Sequence, residues 1–212
     1  MLLSQDTFER LKQITDGNLP ANMTEEKVVM VNERDEAIGI EDKTQAHLLG
    51  VLHRAFSVFV INAAGQLLVQ RRALTKYHSR GLWSNTCCGH PRPDEAIEKA
   101  ARRRLREEMG VDSDLSEVFD FVYRANLEDG FIENEYDHVL IGSFEGVPRP
   151  DPAEIEEWRW VDMAVLSADL KEHPKRYTYW FRISFDRVLQ AGTPVESNLS
   201  VGAASSIAQD FD

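Results

Sequence analysis

Apolar positions along the chain fall into short runs broken by polar turns, and most of these runs carry the two-residue period of strands. Residues 28–31 read as one strand. Residues 55–61 and 66–70 are β-rich runs on either side of Asn62, Ala63, Ala64 and Gly65, which is the composition of a hairpin turn. Further strands are expected over 118–124, 136–144 and 157–161, with a proline-rich turn over 147–152. Between them, residues 81–93 are rich in Gly, Asn, Cys and His and read as a loop. Helical spacing is found over 94–109, from Met163 onward, and again over 174–189. A short peripheral helix is expected within residues 1–20, with Phe8, Leu11 and Ile14 on one side and its end near Gly17. The small polar residues at the end of the chain predict a loose tail. The reading is an N-terminal extension over 1–27, a single domain over 28–190 and a tail over 191–212. The domain is α+β (mixed α/β), a sheet flanked by helices.

The helix over 94–109 breaks its own pattern. Asp94 is placed to cap it, Glu95 and Glu98 suit its first turn, and Gly110 ends it. Ile97, Ala101, Leu105 and Met109 define the apolar stripe, yet at about 100° per residue Arg104 and Glu108 fall inside that stripe. A charge aimed at a core is costly unless it is paired or binds a metal or ligand. A buried Arg104–Glu108 pair would satisfy that need, and so would a ligand site. The Arg-before-Glu order is the weaker one for a helical pair, and the helix follows directly on the Cys/His loop, so the ligand site is the favoured reading.

Composition narrows the classes. In 212 residues the chain carries 36 acidic against 24 basic side chains, a net charge of −12. A nucleic-acid surface runs on clustered Lys and Arg, so nucleic acid is not the expected partner. An anionic small molecule would need a local basic pocket or metal ions. The first five residues run straight into charged positions at Asp6, Glu9, Arg10 and Lys12, and the apolar run over 56–61 is far too short to cross a bilayer, so neither a signal peptide nor a membrane span is expected. The only cysteines, Cys87 and Cys88, are neighbours and cannot staple distant segments. A cytoplasmic protein without a membrane or protein partner is the expectation.

The segment running from Gly89 through Glu95 to Arg103-Arg104-Leu105-Arg106-Glu107-Glu108-Met109-Gly110-Val111 resembles a Nudix box, in which a loop and helix present glutamates to metal and diphosphate. Nudix hydrolases carry Glu where this chain has Arg104. Exchanging a metal-binding carboxylate for a fixed cation weakens the case for hydrolysis and favours diphosphate binding. Gly81-Leu82-Trp83-Ser84-Asn85-Thr86-Cys87-Cys88-Gly89-His90-Pro91 is similar to the cysteine motif of the type 1 isopentenyl-diphosphate isomerases, a Nudix-like family. Arg71-Arg72-Ala73-Leu74-Thr75-Lys76 stands upstream of it. Tyr123-Arg124-Ala125, Glu133-Asn134-Glu135 and the Pro174–Trp180 spacing follow in the family's order, so the resemblance covers roughly residues 28–185.

The resemblance implies a helix-flanked Nudix-like sheet and interconversion of isopentenyl and dimethylallyl diphosphate through a tertiary carbocation. It casts Cys88 as the acid and Glu135 as the base, with Tyr123 assisting the carboxylate and Trp180 facing the cation. It assigns His47, His53, His90, Glu133 and Glu135 to one Zn²⁺ or Mn²⁺, a donor set of nitrogen and oxygen that suits either. In a strand, Glu133 and Glu135 would share a face. His47 stands six residues before His53, one fewer than the family spacing. Arg72, Lys76, Arg104 and Lys43 would bind the diphosphate, and Glu108 with the Cys88 carbonyl would hold Mg²⁺. Cys87 reads as packing. Two other readings remain: a Nudix pyrophosphohydrolase, and a non-catalytic metal or diphosphate-binding module.

Overall fold

The structure, a computed structural model, describes residues 26–192. The expected N-terminal helix and the tail from residue 193 lie outside them. The strands are β1 (Lys27–Val31), β2 (Ala37–Asp42), β3 (His53–Ile61), β4 (Gln66–Arg72), β5 (Trp83–Ser84), β6 (Cys87–Gly89), β7 (Leu115–Asn126), β8 (Ile132–Ser143) and β9 (Ile155–Asp162). The helices are α1 (Lys43–Leu49), α2 (Ile97–Met109), α3 (Met163–Glu172) and α4 (Tyr179–Ala191).

All strands belong to one mixed sheet built around β3. One edge of β3 pairs in parallel with β8 along its whole length, His53 opposite Glu135 through Ile61 opposite Ser143. Its other edge meets β1 at His53, β6 at Phe56–Val58 and β4 at Ile61. The strand therefore has neighbours on both edges, and its side chains are buried on both faces. Phe56, Val58 and Val60 join Leu68, Leu140 and the apolar stripe of α2. Phe59 and Ile61 join Leu67, Val69, Val139 and Ile141 under α3 and α4. Successive residues thus enter opposite cores, as the two-residue period of a strand requires.

The hairpin is real but short-lived. Gly65, at φ 74°, closes the turn by donating to Asn62 O at 2.9 Å, and the two strands then pair only at Ile61 and Leu67. Beyond that they splay, because β4 turns to pair with β9. Buried side chains fill the gap. Thr86 Oγ1 donates to Leu68 O at 2.6 Å and accepts from Val60 N at 2.9 Å, while Asn85 Nδ2 donates to Val58 O at 3.1 Å. Backbone groups left open by the splay are thereby satisfied. The same insertion carries β6, and with it Cys88, into the middle of the sheet.

Three expectations change. Helix α2 starts at Ile97, with Ala96 at its N-cap position and no side-chain cap. Asp94 instead adopts a left-handed φ of 63° in the preceding turn, and Glu95 accepts from Arg92 N and binds Arg103 at 2.8 Å. The loop over 81–93 contains β5 and β6, pairs too short to show a period. Strand β2 and helix α1 were not anticipated, β7 extends past both of its expected ends, and β8 begins four residues before its expected start. The helical material after Pro174 is a single turn over Pro174–Arg176, then α4.

Candidate active site and metal centre

Cys87 and Cys88 occupy successive positions of β6, so their thiols leave on opposite faces. Cys87 is fully buried in the core against α2. Cys88 pairs with Ser57 in the sheet and opens into a cavity of about 480 Å³. Burial in this cavity, more than the opposing influence of Arg72, pushes the Cys88 thiol up to about 12, so it keeps its proton.

The cavity also receives Tyr123, Glu133, Glu135, His90 and Trp180. Glu133 and Glu135 share a face of β8, as their spacing predicts, and both are buried. Tyr123 lies opposite Glu135 on β7 and its hydroxyl donates to Glu135 Oε2. Burial works to raise Glu135, but the His53 and His90 imidazoles beside it hold it well below the usual carboxylate range. Trp180 enters from the first turn of α4, and its Nε1 donates to Ser84 Oγ and Asn85 Oδ1, each at 3.1 Å. Thr178 N donates to Trp83 O at 2.9 Å, which ties the start of α4 to the cysteine segment.

The imidazoles converge by a local route. Asp42 caps α1 by accepting from Thr44 N and Gln45 N, and Gly50 ends it in the left-handed region at φ 63°. The chain then returns at once into β3, which carries His53 back beside His47, ring centroids 4.7 Å apart. The shortened spacing thus still brings both rings together. The Gly50 carbonyl accepts from Arg124 and Asn134, each at 2.9 Å, so the middle residues of Tyr123-Arg124-Ala125 and Glu133-Asn134-Glu135 anchor this turn. A Cβ at Gly50 would stand 2.9 Å from the Arg124 guanidinium, which only glycine avoids.

Donor atoms of His47, His53, His90 and Glu135 all lie within 4.8 Å of one another, and a second group joins His47 to His78 and Glu133. His47 Nδ1 contacts Lys43 O at 2.7 Å and His53 Nδ1 contacts Val51 O at 2.8 Å. A proton held at Nδ1 leaves Nε2 as the lone-pair nitrogen, the arrangement a metal-ligating histidine needs. His53 Nε2 and His90 Nε2 stand 3.2 Å apart, and His47 Nε2 and Glu133 Oε2 are buried without a hydrogen-bond partner among the described residues. Unpartnered acceptors facing one another fit a cation, so the residues present suit a divalent metal.

The expected diphosphate ligands line the same cavity. Lys43 pairs with Glu26 at 2.7 Å, and Lys76 pairs with Glu154. Arg104 reaches Glu107 at 2.9 Å, Glu154 at 3.3 Å and Glu108. The Arg104–Glu108 pair, with Glu108 buried and Arg104 half-buried, and the cavity lining are therefore both present. Arg72 is buried, its Nε has no hydrogen-bond partner among the described residues, and its guanidinium lies 5.5 Å from the Trp180 ring. Sequence reasoning missed His78, Tyr77 and Ser57 in the lining, and Asp137 behind it, where the Asp137 carboxylate accepts from Ser57 Oγ at 2.8 Å. The alternation Glu133, Glu135, Asp137 was a readable signal for Asp137; nothing in the pattern marks His78.

Residues 51–181 match the NUDIX domain family. The Deinococcus radiodurans protein DR0079 shares the fold at TM-score 0.57 and 22% identity, over 70% of this chain and 90% of that one. Fold and site thus define a Nudix-type protein. The Isopentenyl-diphosphate Delta-isomerase 1 of Aromatoleum aromaticum is 54% identical over 165 residues, 78% of this chain and 93% of its own length. That of Burkholderia multivorans is 51% identical over 171 residues, 81% and 96% of the two lengths. The chain belongs to the isopentenyl-diphosphate Delta-isomerase family within the Nudix fold.

Proposed function

We infer that this enzyme interconverts isopentenyl diphosphate and dimethylallyl diphosphate. The observation that carries the reading is the placement of Cys88 and Glu135 on strands at opposite edges of β3, both opening into one cavity. An unactivated alkene needs a proton donor on one side and a base on another, with the cation between them shielded from water.

Cys88, held protonated, delivers its proton to the terminal alkene carbon, and Glu135 removes one from C2. Tyr123 orients the carboxylate and, by donating to Oε2, leaves Oε1 for the imidazoles and the substrate. The Trp180 ring, fixed by its two Nε1 hydrogen bonds, presents its face to the tertiary cation, an attraction worth about 2 kcal/mol when desolvated. Burial of the cavity wall excludes the water that would trap that cation.

Nudix enzymes use divalent metals. Here His47, His53, His90, Glu133 and Glu135 would hold Zn²⁺ or Mn²⁺, which supplies positive charge that fixes the site and tempers Glu135. Glu108 and the Cys88 carbonyl would share Mg²⁺ with the diphosphate oxygens. Arg72, Lys76, Lys43 and Arg104 bind the diphosphate. Hydrolysis is disfavoured because Arg104 stands where a water-activating site needs a carboxylate.

Incubation with isopentenyl diphosphate, Mg²⁺ and Zn²⁺ or Mn²⁺ in D₂O, followed by proton NMR, tests the reading. Dimethylallyl diphosphate bearing deuterium in a methyl group is the expected product. Unchanged substrate together with cleavage of nucleoside diphosphates would replace the reading with hydrolysis.

A further inference from the structure

His78 is buried in the cavity wall, and the chemistry above gives it no part. Its Nε2 lies 3.3 Å from Glu133 Oε1, while the other oxygen of the same carboxylate, Oε2, lies 3.3 Å from His47 Nε2. Its Nδ1 lies 3.2 Å from Ser79 Oγ, and Ser79 is held in a left-handed backbone conformation at φ 50°. The ring is confined on two sides, edge-on to Tyr77 at 4.3 Å and to Trp180 at 6.0 Å. Arg72 Nη2 also donates to the His78 carbonyl at 3.3 Å.

We propose that His78 is a positioning residue of the metal centre, whose Nε2–H holds Glu133 Oε1 and so turns Oε2 toward His47 and the ion. The inference rests on the metal reading of the site. With the ring proton on Nε2, facing the carboxylate, Nδ1 is free to accept from the Ser79 hydroxyl 3.2 Å away. Glu133 is then fixed at one oxygen and open at the other, as outer hydrogen bonds fix a ligating carboxylate. With His47 and Glu133, His78 forms a second group of donor atoms within 4.8 Å, outside the group formed by His47, His53, His90 and Glu135. Ligation of a second ion by His78 is the competing assignment, and the count of ions per chain decides between the two.

The test is competition for Zn²⁺ between a chelator and the metal-free full chain, with metal counted per chain, for wild type, His78→Phe, His78→Gln and Ser79→Ala. Wild type should hold a single ion at this centre. His78→Phe should bind it about 10–100-fold more weakly. His78→Gln, whose side-chain amide still donates, should recover most of the loss, which a merely space-filling role would not produce. Ser79→Ala should fall between, and it keeps the test open if the Phe variant fails to fold. Equal affinity in the Phe variant and wild type would overturn the proposal. Two ions in wild type and one in His78→Phe would overturn it too, by making His78 a ligand. A wild-type chain that binds no ion would instead sink the metal reading itself.

Discussion

At the imidazole end of the cavity buried acceptors face one another without partners, whereas at the cationic end almost every charge already has one. His47 Nε2 and Glu133 Oε2 have no hydrogen-bond partner among the described residues. Lys43, Lys76 and Arg104 are each tied to a carboxylate, Glu26, Glu154 or Glu108. The imidazole end is buried and the cationic end half-buried apart from Arg72, so both carry a desolvation cost and the first carries more. On the proposed function, the first end takes up a resident cation that answers these acceptors. The second, whose cations are paired with carboxylates, would exchange some of those pairs for diphosphate oxygens when substrate arrives. Arg72 is the exception at the cationic end: buried, with an unpartnered Nε, it is the cation most ready for an incoming phosphate.

The largest effect belongs to neither end but to the group between them. Cys88→Ala and Cys88→Ser should lower kcat by about 10³-fold or more, because the first removes the proton donor and the second replaces it with a far weaker acid. Circular dichroism and metal content should stay as in wild type. Substantial turnover by either variant would take Cys88 out of the acid role.

Next comes the imidazole end. Chelation should lower Tm by roughly 5–11 °C when the ion had been present at about 100 times its Kd, since that occupancy contributes about 2.7 kcal/mol and a chain of this size shifts about 2–4 °C per kcal/mol. Glu133→Gln and His47→Ala should lose both the ion and that chelator response. The cationic end should show neither: Arg72→Ala should raise KM for isopentenyl diphosphate while Tm remains chelator-sensitive. A chelator-insensitive wild type would erase the contrast between the ends.

How much of this could be read in the sequence differs between the ends as well. Arg72, Lys76, Arg104, Glu133 and Glu135 stand in local motifs whose spacing survives folding, and each lines the cavity. The helix α2 showed its buried charges as breaks in a 3.6-residue pattern, which is why Arg104 and Glu108 were visible. His78 was not, because it lies in a loop without period and gains its meaning from Glu133, 55 residues on. The splay of β3 from β4 was equally hidden. A hairpin signal reports the turn, and says nothing of Thr86 and Asn85 standing in for the lost ladder.

Smaller effects sharpen the comparison through pH. Burial, with Arg72, Lys43 and Arg104 nearby and despite Glu108, lowers Lys76 to about 8. Its ammonium is therefore present below that pH and lost as pH rises through it. KM for the diphosphate should be flat up to about 8 and then climb, and Lys76→Arg should remove the climb because guanidinium stays charged. The sign also applies to stability. A lysine depressed in the folded state disfavours folding at low pH and ceases to do so as pH rises, so the binding loss would come without loss of Tm from this group.

The smallest effect is the other cysteine. Cys87 differs from Cys88 by one position on the same strand, yet the pleat sends it to the far face, into the core beneath α2 with Val58, Leu105 and Met109. Burial pushes its thiol well above the usual range, so it is inert as well as remote. Cys87→Ala should cost on the order of 1–2 kcal/mol from the lost sulfur contacts, read as a small drop in Tm, and leave kcat, KM and the metal affinity within about twofold of wild type. A large kcat loss in Cys87→Ala with the fold intact would mean that the two thiols act together, and the opposite-face geometry would no longer separate the catalytic cysteine from the structural one.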